Sequence, residues 1–224
     1  MPHTLATLLT ITTYGTWLRG DRRGWVENGI TFPPDPELER EDRARMKHPV
    51  YIFPRKRLLE IGAFIGESLT ARLNIDIHAL HVGTWHAHLI IGPTKHNIAD
   101  VAKCTKDAVR YGLRAGRPIW TEGYDKRFCF DEQAAITRIR YVERHNEARN
   151  LPAAPWPFIT PHPLIQPTPT TTRSPRPTHK PTLSLHPSTP HQSPTPRPFS
   201  PRSMTGGSLV DATDPYDDML RTDV

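Results

Sequence analysis

The sequence HVGTWHAHLIIG at residues 81–92 contains two histidines, His86 and His88, separated by one alanine. Side chains alternate between the two faces of a β-strand, so His86 and His88 are predicted to project from the same face. The apolar residues Ala87, Leu89 and Ile91 then point to the opposite face, where they can join a core. Two imidazoles side by side on a strand can bind a metal ion, although a buried histidine can also be a hydrogen-bonded core residue.

The elements on either side of this stretch predict an α+β domain. The hydrophobic periodicity and the turn residues predict a strand at 5–13, a helix at 57–73, strands at 75–82 and 86–92, a helix at 97–114, a strand at 126–130 and a helix at 131–149. This order predicts a ferredoxin-like antiparallel sheet with helices on one face. His78 and His81 lie on the strand that precedes the histidine pair. Either could approach the site, but we favour structural roles for both.

Composition divides the chain of 224 residues into two parts. Residues 1–150 hold nearly all the aliphatic and aromatic patterning and are predicted to form one domain, with an insertion at 31–56 that is rich in proline and charge. Residues 151–224 are rich in proline, threonine and serine. Such a segment buries too little apolar surface to offset its ordering entropy, so we expect a disordered tail.

Charge and cysteine content restrict the class of protein. The formal net charge is +6, and most of the excess lies in residues 1–150. A basic domain favours an anionic partner. The chain has two cysteines, shows no signal peptide and contains no apolar run long enough to span a bilayer. We therefore expect a cytoplasmic, nucleoid-associated protein without a disulfide framework or a membrane partner.

The last predicted helix carries Tyr141 and His145, which are four residues apart and so lie on the same helix surface. Together with His86 and His88 they would form a site with three imidazoles and one phenol. A metal ion that polarises a phosphodiester allows a tyrosine hydroxyl to attack phosphorus, and the product is a phosphotyrosyl link to DNA. The same spacing also fits a partly exposed polar face of the helix.

Two groups of residues suggest contacts with nucleic acid. Aromatic and basic side chains alternate in the loop after the first strand, which suits base stacking and phosphate contacts, or else a loop fixed by packed tryptophans. This group contains Trp17, Arg19, Arg22, Arg23 and Trp25. Cations at steps of three or four form a stripe on the 97–114 helix, which is either a solvated face or a phosphate-binding one. The stripe contains Lys103, Lys106, Arg110 and Arg114 and is continued by Arg117.

Four of these motifs, in this order, resemble the single-tyrosine HUH transposases, and within them the REP-associated tyrosine transposases. The motifs are TYGTWLRGD at 13–21 with GWV at 24–26, the histidine pair at 86–88, IWTEGY at 119–124, and RYVERHN at 140–146. The similarity covers about residues 5–150. The chain has Thr84-Trp85 where the family commonly has Pro-Asn, and Asn146-Glu147 where it commonly has Asn-Pro.

The resemblance implies an enzyme that nicks and rejoins single-stranded or hairpin DNA through a 5′-phosphotyrosine. Tyr141 matches the nucleophile, and His86 and His88 match the metal-binding pair, for which Mg²⁺ or Mn²⁺ is expected. The third ligand of the family is usually Gln or Asn on the tyrosine's helix, so His145 takes that place here, with Asn146 as the alternative. The resemblance also suggests a homodimer.

Two other functions fit the same residues. One is a non-catalytic module that binds hairpin or single-stranded DNA through the basic residues without forming an adduct. The other is a structural zinc domain that uses His86, His88 and His145 and binds no nucleic acid.

Overall fold

The computed structural model describes residues 3–27 and 30–163 of the chain. Its secondary structure confirms an α+β domain. The elements are β1 (Ala6–Thr12), β2 (Trp25–Glu27), β3 (Ile30–Phe32), α1 (Pro36–Arg45), α2 (Leu58–Leu73), β4 (Ile77–Val82), β5 (His86–Ile91), α3 (Ile98–Leu113), β6 (Asp125–Cys129) and α4 (Glu132–Glu147). The hairpin formed by β2 and β3 was not predicted from the sequence.

Four strands form an antiparallel sheet in the order β4-β5-β1-β6. Because β5 lies beside β1 and β6 pairs with the other side of β1, the chain follows the ferredoxin-like path that the element order predicts. The register places Thr10 of β1 opposite His88 of β5. It also places His81 of β4 opposite His88.

Helices cover both faces of this sheet. Helices α2 and α3 pack on the face that carries Leu9, Ile11 and Leu89. Helix α4 packs on the opposite face, against Leu8 and Ile90. The sequence analysis placed all the helices on one face, and α4 departs from that expectation. The physical reason is that every residue of β4 and β5 is buried, so both faces of the central strands need cover.

Side-chain caps mark the starts of α3 and α4. The Asn97 side chain accepts a hydrogen bond from the backbone of Ala99 at the start of α3. Asp131 accepts one from the backbone of Ala134 at the start of α4. Each cap pairs a backbone N–H that has no partner within the first turn of the helix.

Residues 151–163, which the sequence analysis assigned to the tail, pack against the domain. Trp156 is buried, and its indole N–H donates to the carbonyl of Leu59 on α2 at 2.9 Å. Ile159 forms a parallel bridge with Ile77 of β4. The cause is a small aromatic cluster inside a proline-rich stretch, which supplies enough apolar surface to anchor it. The rest of the predicted tail, residues 164–224, lies outside the described residues.

Two further findings concern the chain's environment. Cys104 and Cys129 are free thiols. Among the described residues, no helix has both the length and the apolar character that crossing a membrane requires.

Candidate metal centre and its tyrosine

Strand β5 presents two histidines on the face that α4 covers. His86 and His88 are 4 % and 0 % exposed, and their ring centroids are 4.6 Å apart. The alternate residues Ala87, Leu89 and Ile91 belong to the core cluster under α2 and α3. The shared face of the two histidines and the opposite face of the apolar residues are as the sequence pattern predicts.

Helix α4 places Tyr141 and His145 directly over these histidines. The ring centroid of Tyr141 is 4.7 Å from that of His145 and 5.5 Å from that of His88. Both side chains are buried, at 7 % and 5 % exposure. They are thus not the partly exposed polar face that the spacing also allowed. The buried face of α4 includes Tyr141 and His145 as well as Val142.

A fourth histidine joins the group from β4. His81 is 1 % exposed, and its ring centroid lies 5.0 Å from that of His145 and 5.6 Å from that of His86. Ring nitrogens of His81, His86 and His145 all lie within 4.8 Å of one another. His88 is outside this compact trio, although its ring is 5.2 Å from that of His145. The sequence analysis favoured a structural role for His81 and left its approach to the site as the alternative.

Hydrogen bonds orient the rings of His81 and His88. The Nδ1 atom of His81 is 2.8 Å from Oδ1 of Asn146, and the Nδ1 atom of His88 is 2.9 Å from the hydroxyl of Thr10. The amide nitrogen of Asn146 donates to the carbonyls of Leu80 and Ala153, each at 2.9 Å. Asn146, the alternative third ligand of the sequence analysis, therefore has its amide engaged in holding His81 and the chain around it.

Burial favours the neutral form of His81, His86 and His88. Loss of hydration, reinforced by the neighbouring His145, lowers the pKa of His81 to about 3. The same desolvation, reinforced by the neighbouring histidines, lowers the pKa of His86 and His88 well below the usual value. A neutral imidazole has a lone pair for a metal ion, so the protonation state suits metal binding.

Residues 13–24 support His86 through Trp85. Arg23 donates to both carboxylate oxygens of the buried Asp21 at 2.6 Å and lies over the rings of Trp17 and Trp85 at 5.3 and 5.0 Å. The ring of Trp85 is 4.0 Å from that of His86. Arg23 was a predicted DNA contact, but here its charge is compensated by Asp21 and its side chain belongs to the support of the site.

The other predicted DNA contacts of this loop lie further out. Arg19 forms a bidentate ion pair with Asp42 of α1, at 2.9 and 2.6 Å. Trp17 is half-buried, and its indole N–H donates to the carbonyl of Gly24 at 2.8 Å. Arg22 is exposed. Arg19 and Arg23 are thus both paired with carboxylates.

The basic residues of α3 also differ in their exposure and in their pairing. Lys106 is half-buried, and its ammonium donates to the carbonyls of residues 121, 122 and 123 at 2.6 to 2.8 Å, which makes it a clamp on that loop rather than a solvated cation. Lys103 is exposed and pairs with Asp107 at 2.7 Å. Arg110 and Arg114 are exposed. All of them lie on the face of the sheet opposite Tyr141.

Comparisons with known proteins give partial similarities. No family model matches the sequence, and no curated protein matches it. Among solved structures, the chain is similar to a REP-associated tyrosine transposase bound to a REP hairpin, with a TM-score of 0.40, 12 % identity, and coverage of 70 % of this chain and 76 % of that one. It is also similar to a "putative transposase" from Deinococcus radiodurans R1, with a TM-score of 0.35, 17 % identity, and coverage of 64 % and 92 %.

Proposed function

We propose that this protein is a metal-dependent endonuclease and strand transferase for single-stranded DNA, a transposase, with Tyr141 as the nucleophile. The observation that carries the proposal is the contact of the Tyr141 ring with the rings of His88 and His145 at 5.5 and 4.7 Å. A phenol placed against buried imidazoles has potential metal ligands beside its ring. Such proximity is what converts a weak nucleophile into an effective one.

The proposed reaction conserves the energy of the phosphodiester bond. The Tyr141 oxygen attacks phosphorus and loses its proton, the bond from phosphorus to the 3′ oxygen breaks, and that oxygen leaves as a hydroxyl after taking up a proton. The 5′ phosphate stays on the tyrosine until a 3′-hydroxyl attacks it in the reverse sense. A tyrosine hydroxyl has an ordinary pKa near 10, so its deprotonation needs assistance at neutral pH. A bound divalent cation supplies the charge that stabilises the transferring phosphate.

His86 and His88 of β5 and His145 of α4 would hold the cation, for which Mg²⁺ or Mn²⁺ is the expectation from the sequence. The residues fit a metal ion. Among the described residues, neither ring nitrogen of His86 has a hydrogen-bond partner, which is costly for a buried polar group unless something else binds it. Tyr141 and His145 share one helix, so one movement of α4 would shift nucleophile and ligand together.

The proposed partner is single-stranded or hairpin DNA, bound by a protein that acts as a monomer or a homodimer. The exposed cations Arg22, Lys103, Arg110 and Arg114 support this partner. The second candidate function, a DNA-binding module without catalysis, is favoured by one specific observation. The basic residues of α3 and the proposed nucleophile lie on opposite faces of the sheet, so DNA held on α3 does not by itself reach Tyr141.

Covalent capture of DNA separates the two functions. Purified protein is incubated with end-labelled single-stranded oligonucleotides from the flanks of its own gene, with MnCl₂, MgCl₂ or chelator, and resolved on a denaturing gel. A metal-dependent band that resists heating, is lost in Tyr141→Phe and is kept in Tyr111→Phe is the expected result. Tyr111 is the matched control because it is 68 % exposed on α3. Capture that survives in Tyr141→Phe overturns the proposal, and binding without any adduct favours the DNA-binding module.

A further inference from the structure

We propose that His81 is a direct ligand of the metal centre and that the resulting set of imidazoles selects a first-row transition-metal dication over Mg²⁺. The inference rests on the metal centre of the proposed function and adds a residue to it. His81 lies outside the motif that predicted the site, on β4 rather than β5. It reaches the site because the sheet register places it opposite His88.

The orientation of Asn146 fixes the tautomer of His81. The amide nitrogen of Asn146 faces two carbonyl oxygens, those of Leu80 and Ala153, which can only accept hydrogen bonds. Its Oδ1 atom must therefore face His81, and an amide oxygen can only accept. Nδ1 of His81 consequently carries the proton and donates it at 2.8 Å. The lone pair of the ring is left on Nε2.

This Nε2 lone pair belongs to a ring that lies beside the rings of His86 and His145. Among the described residues, no atom hydrogen-bonds to Nε2 of His81, and the side chain is 1 % exposed. A buried acceptor without a partner costs free energy, so the position calls for a ligand. An imidazole that donates its other N–H to an oxygen acceptor while its free nitrogen faces further ligands is the usual arrangement of a metal-binding histidine.

The packing around His86 points to the same centre. His86 is buried with two ring nitrogens that lack hydrogen-bond partners among the described residues. Gly83 faces this ring, and a Cβ there would approach the Cε1 atom of His86 to 2.8 Å and its Nδ1 atom to 3.0 Å. The absence of a side chain at position 83 leaves the room that the ring occupies. The ring position is therefore restricted from the hairpin as well as from Trp85.

The donor atoms decide the class of metal. The compact trio of His81, His86 and His145 contains nitrogen donors and no carboxylate. Mg²⁺ prefers oxygen ligands and gives up its water reluctantly, whereas Mn²⁺, Co²⁺ and Zn²⁺ accept imidazole readily. Imidazoles carry no negative charge, so a hard cation gains little from them. With His88 alongside, the site suits a nitrogen-preferring dication.

The test uses the full-length protein and metal ions alone, without DNA. CoCl₂ is titrated into the wild type, His81→Gln and His78→Gln, and binding is followed by the visible absorption of Co²⁺ and by calorimetry. His78 is the matched control because it is a buried histidine of the same strand that contacts Thr160 and His162 instead. We expect His81→Gln to weaken Co²⁺ binding by about tenfold or more and His78→Gln to leave it unchanged. About a hundredfold excess of MgCl₂ should not displace Co²⁺.

Wild-type protein provides a second readout that does not depend on whether a variant folds. In ¹⁵N-histidine-labelled protein, ZnCl₂ should shift Nε2 of His81 to the metal-bound range while Nδ1 keeps its proton. The proposal is overturned if Nε2 of His81 is unaffected while His86 responds, or if a folded His81→Gln binds Co²⁺ as the wild type does. Displacement of Co²⁺ by that excess of MgCl₂ overturns the metal preference. Covalent capture of DNA plays no part in these measurements, so failure of the nuclease function is scored separately.

Discussion

The guanidinium of Arg23 lies over the indole ring of Trp85, 5.0 Å from its centroid. Arg23 is held in turn by the buried carboxylate of Asp21 and by the carbonyl of Thr16, each at 2.6 Å. A threonine adds to this support, because the backbone N–H and the hydroxyl of Thr13 donate to the carbonyl of Trp85 at 2.7 and 3.0 Å. The conspicuous motif at 13–24 is thus built around the residue that precedes His86.

This arrangement predicts that Trp85 is a positioning residue for the metal centre. Trp85→Leu removes the ring that lies 4.0 Å from His86 and should weaken Co²⁺ binding by about tenfold, the size expected when the support of a ligand is lost. Calorimetry on the folded variant measures it. The control is Trp25→Leu, because Trp25 is equally apolar and stacks on Phe32 instead. A Trp85→Leu protein with unchanged affinity would show that the loop serves the fold alone.

Lys106 should contribute to stability rather than to DNA affinity. Its ammonium donates to three backbone carbonyls, and burial lowers its pKa. Replacing it by methionine removes these bonds, and we expect the free energy of unfolding to fall by about 1–2 kcal/mol in a urea titration. Lys103→Met is the control, since Lys103 is exposed on the same helix, and its stability should be that of the wild type.

The salt dependence of DNA binding should respond differently to substitutions at two positions on α3. Arg110→Gln should weaken binding to single-stranded DNA. It should also reduce the steepness of log affinity against log salt concentration by about 1, the amount expected for one lost phosphate contact. Lys106→Met should leave that slope unchanged, because the ammonium is already taken by carbonyls. A lower slope for Lys106→Met, with Arg110→Gln unaffected, would reverse the assignment of the two cations.

The sequence predicted the order and type of the main elements and the shared face of His86 and His88, because these depend on local periodicity. It did not predict the position of α4, since strands that are buried on both faces do not indicate which helix covers which face. The position of His81 beside His88 could have been predicted from the sequence. A hairpin centred between Thr84 and Trp85 places residue 81 opposite residue 88. The role of Lys106 depends on the carbonyls of residues 121–123, and that of Arg23 on Trp85, which other parts of the chain supply. Residue type alone could not distinguish these two side chains from solvated cations.

The packing of residues 151–163 predicts whether a substitution on α2 raises or lowers the free energy of unfolding. Gly62 of α2 lies under the ring of Trp156, so a Cβ at position 62 would collide with that ring. At an exposed position of a helix, Gly→Ala usually raises the free energy of unfolding by about 0.4–1 kcal/mol. Gly62→Ala should instead destabilise the domain, because the ring of Trp156 has to leave its site.

A double-mutant cycle makes this prediction specific. Trp156→Ala alone should lower the free energy of unfolding by about 3 kcal/mol, the lower end of the range for a buried aromatic, since the indole is 7 % exposed and donates to Leu59. Once that ring is gone, Gly62→Ala should become neutral or stabilising, and the coupling between the two changes measures their contact. Gly116→Ala is the control, because a Cβ there meets no atom within 4 Å. If Gly62→Ala destabilises equally in both backgrounds, the glycine is required by α2 itself and residues 151–163 are not held at this position.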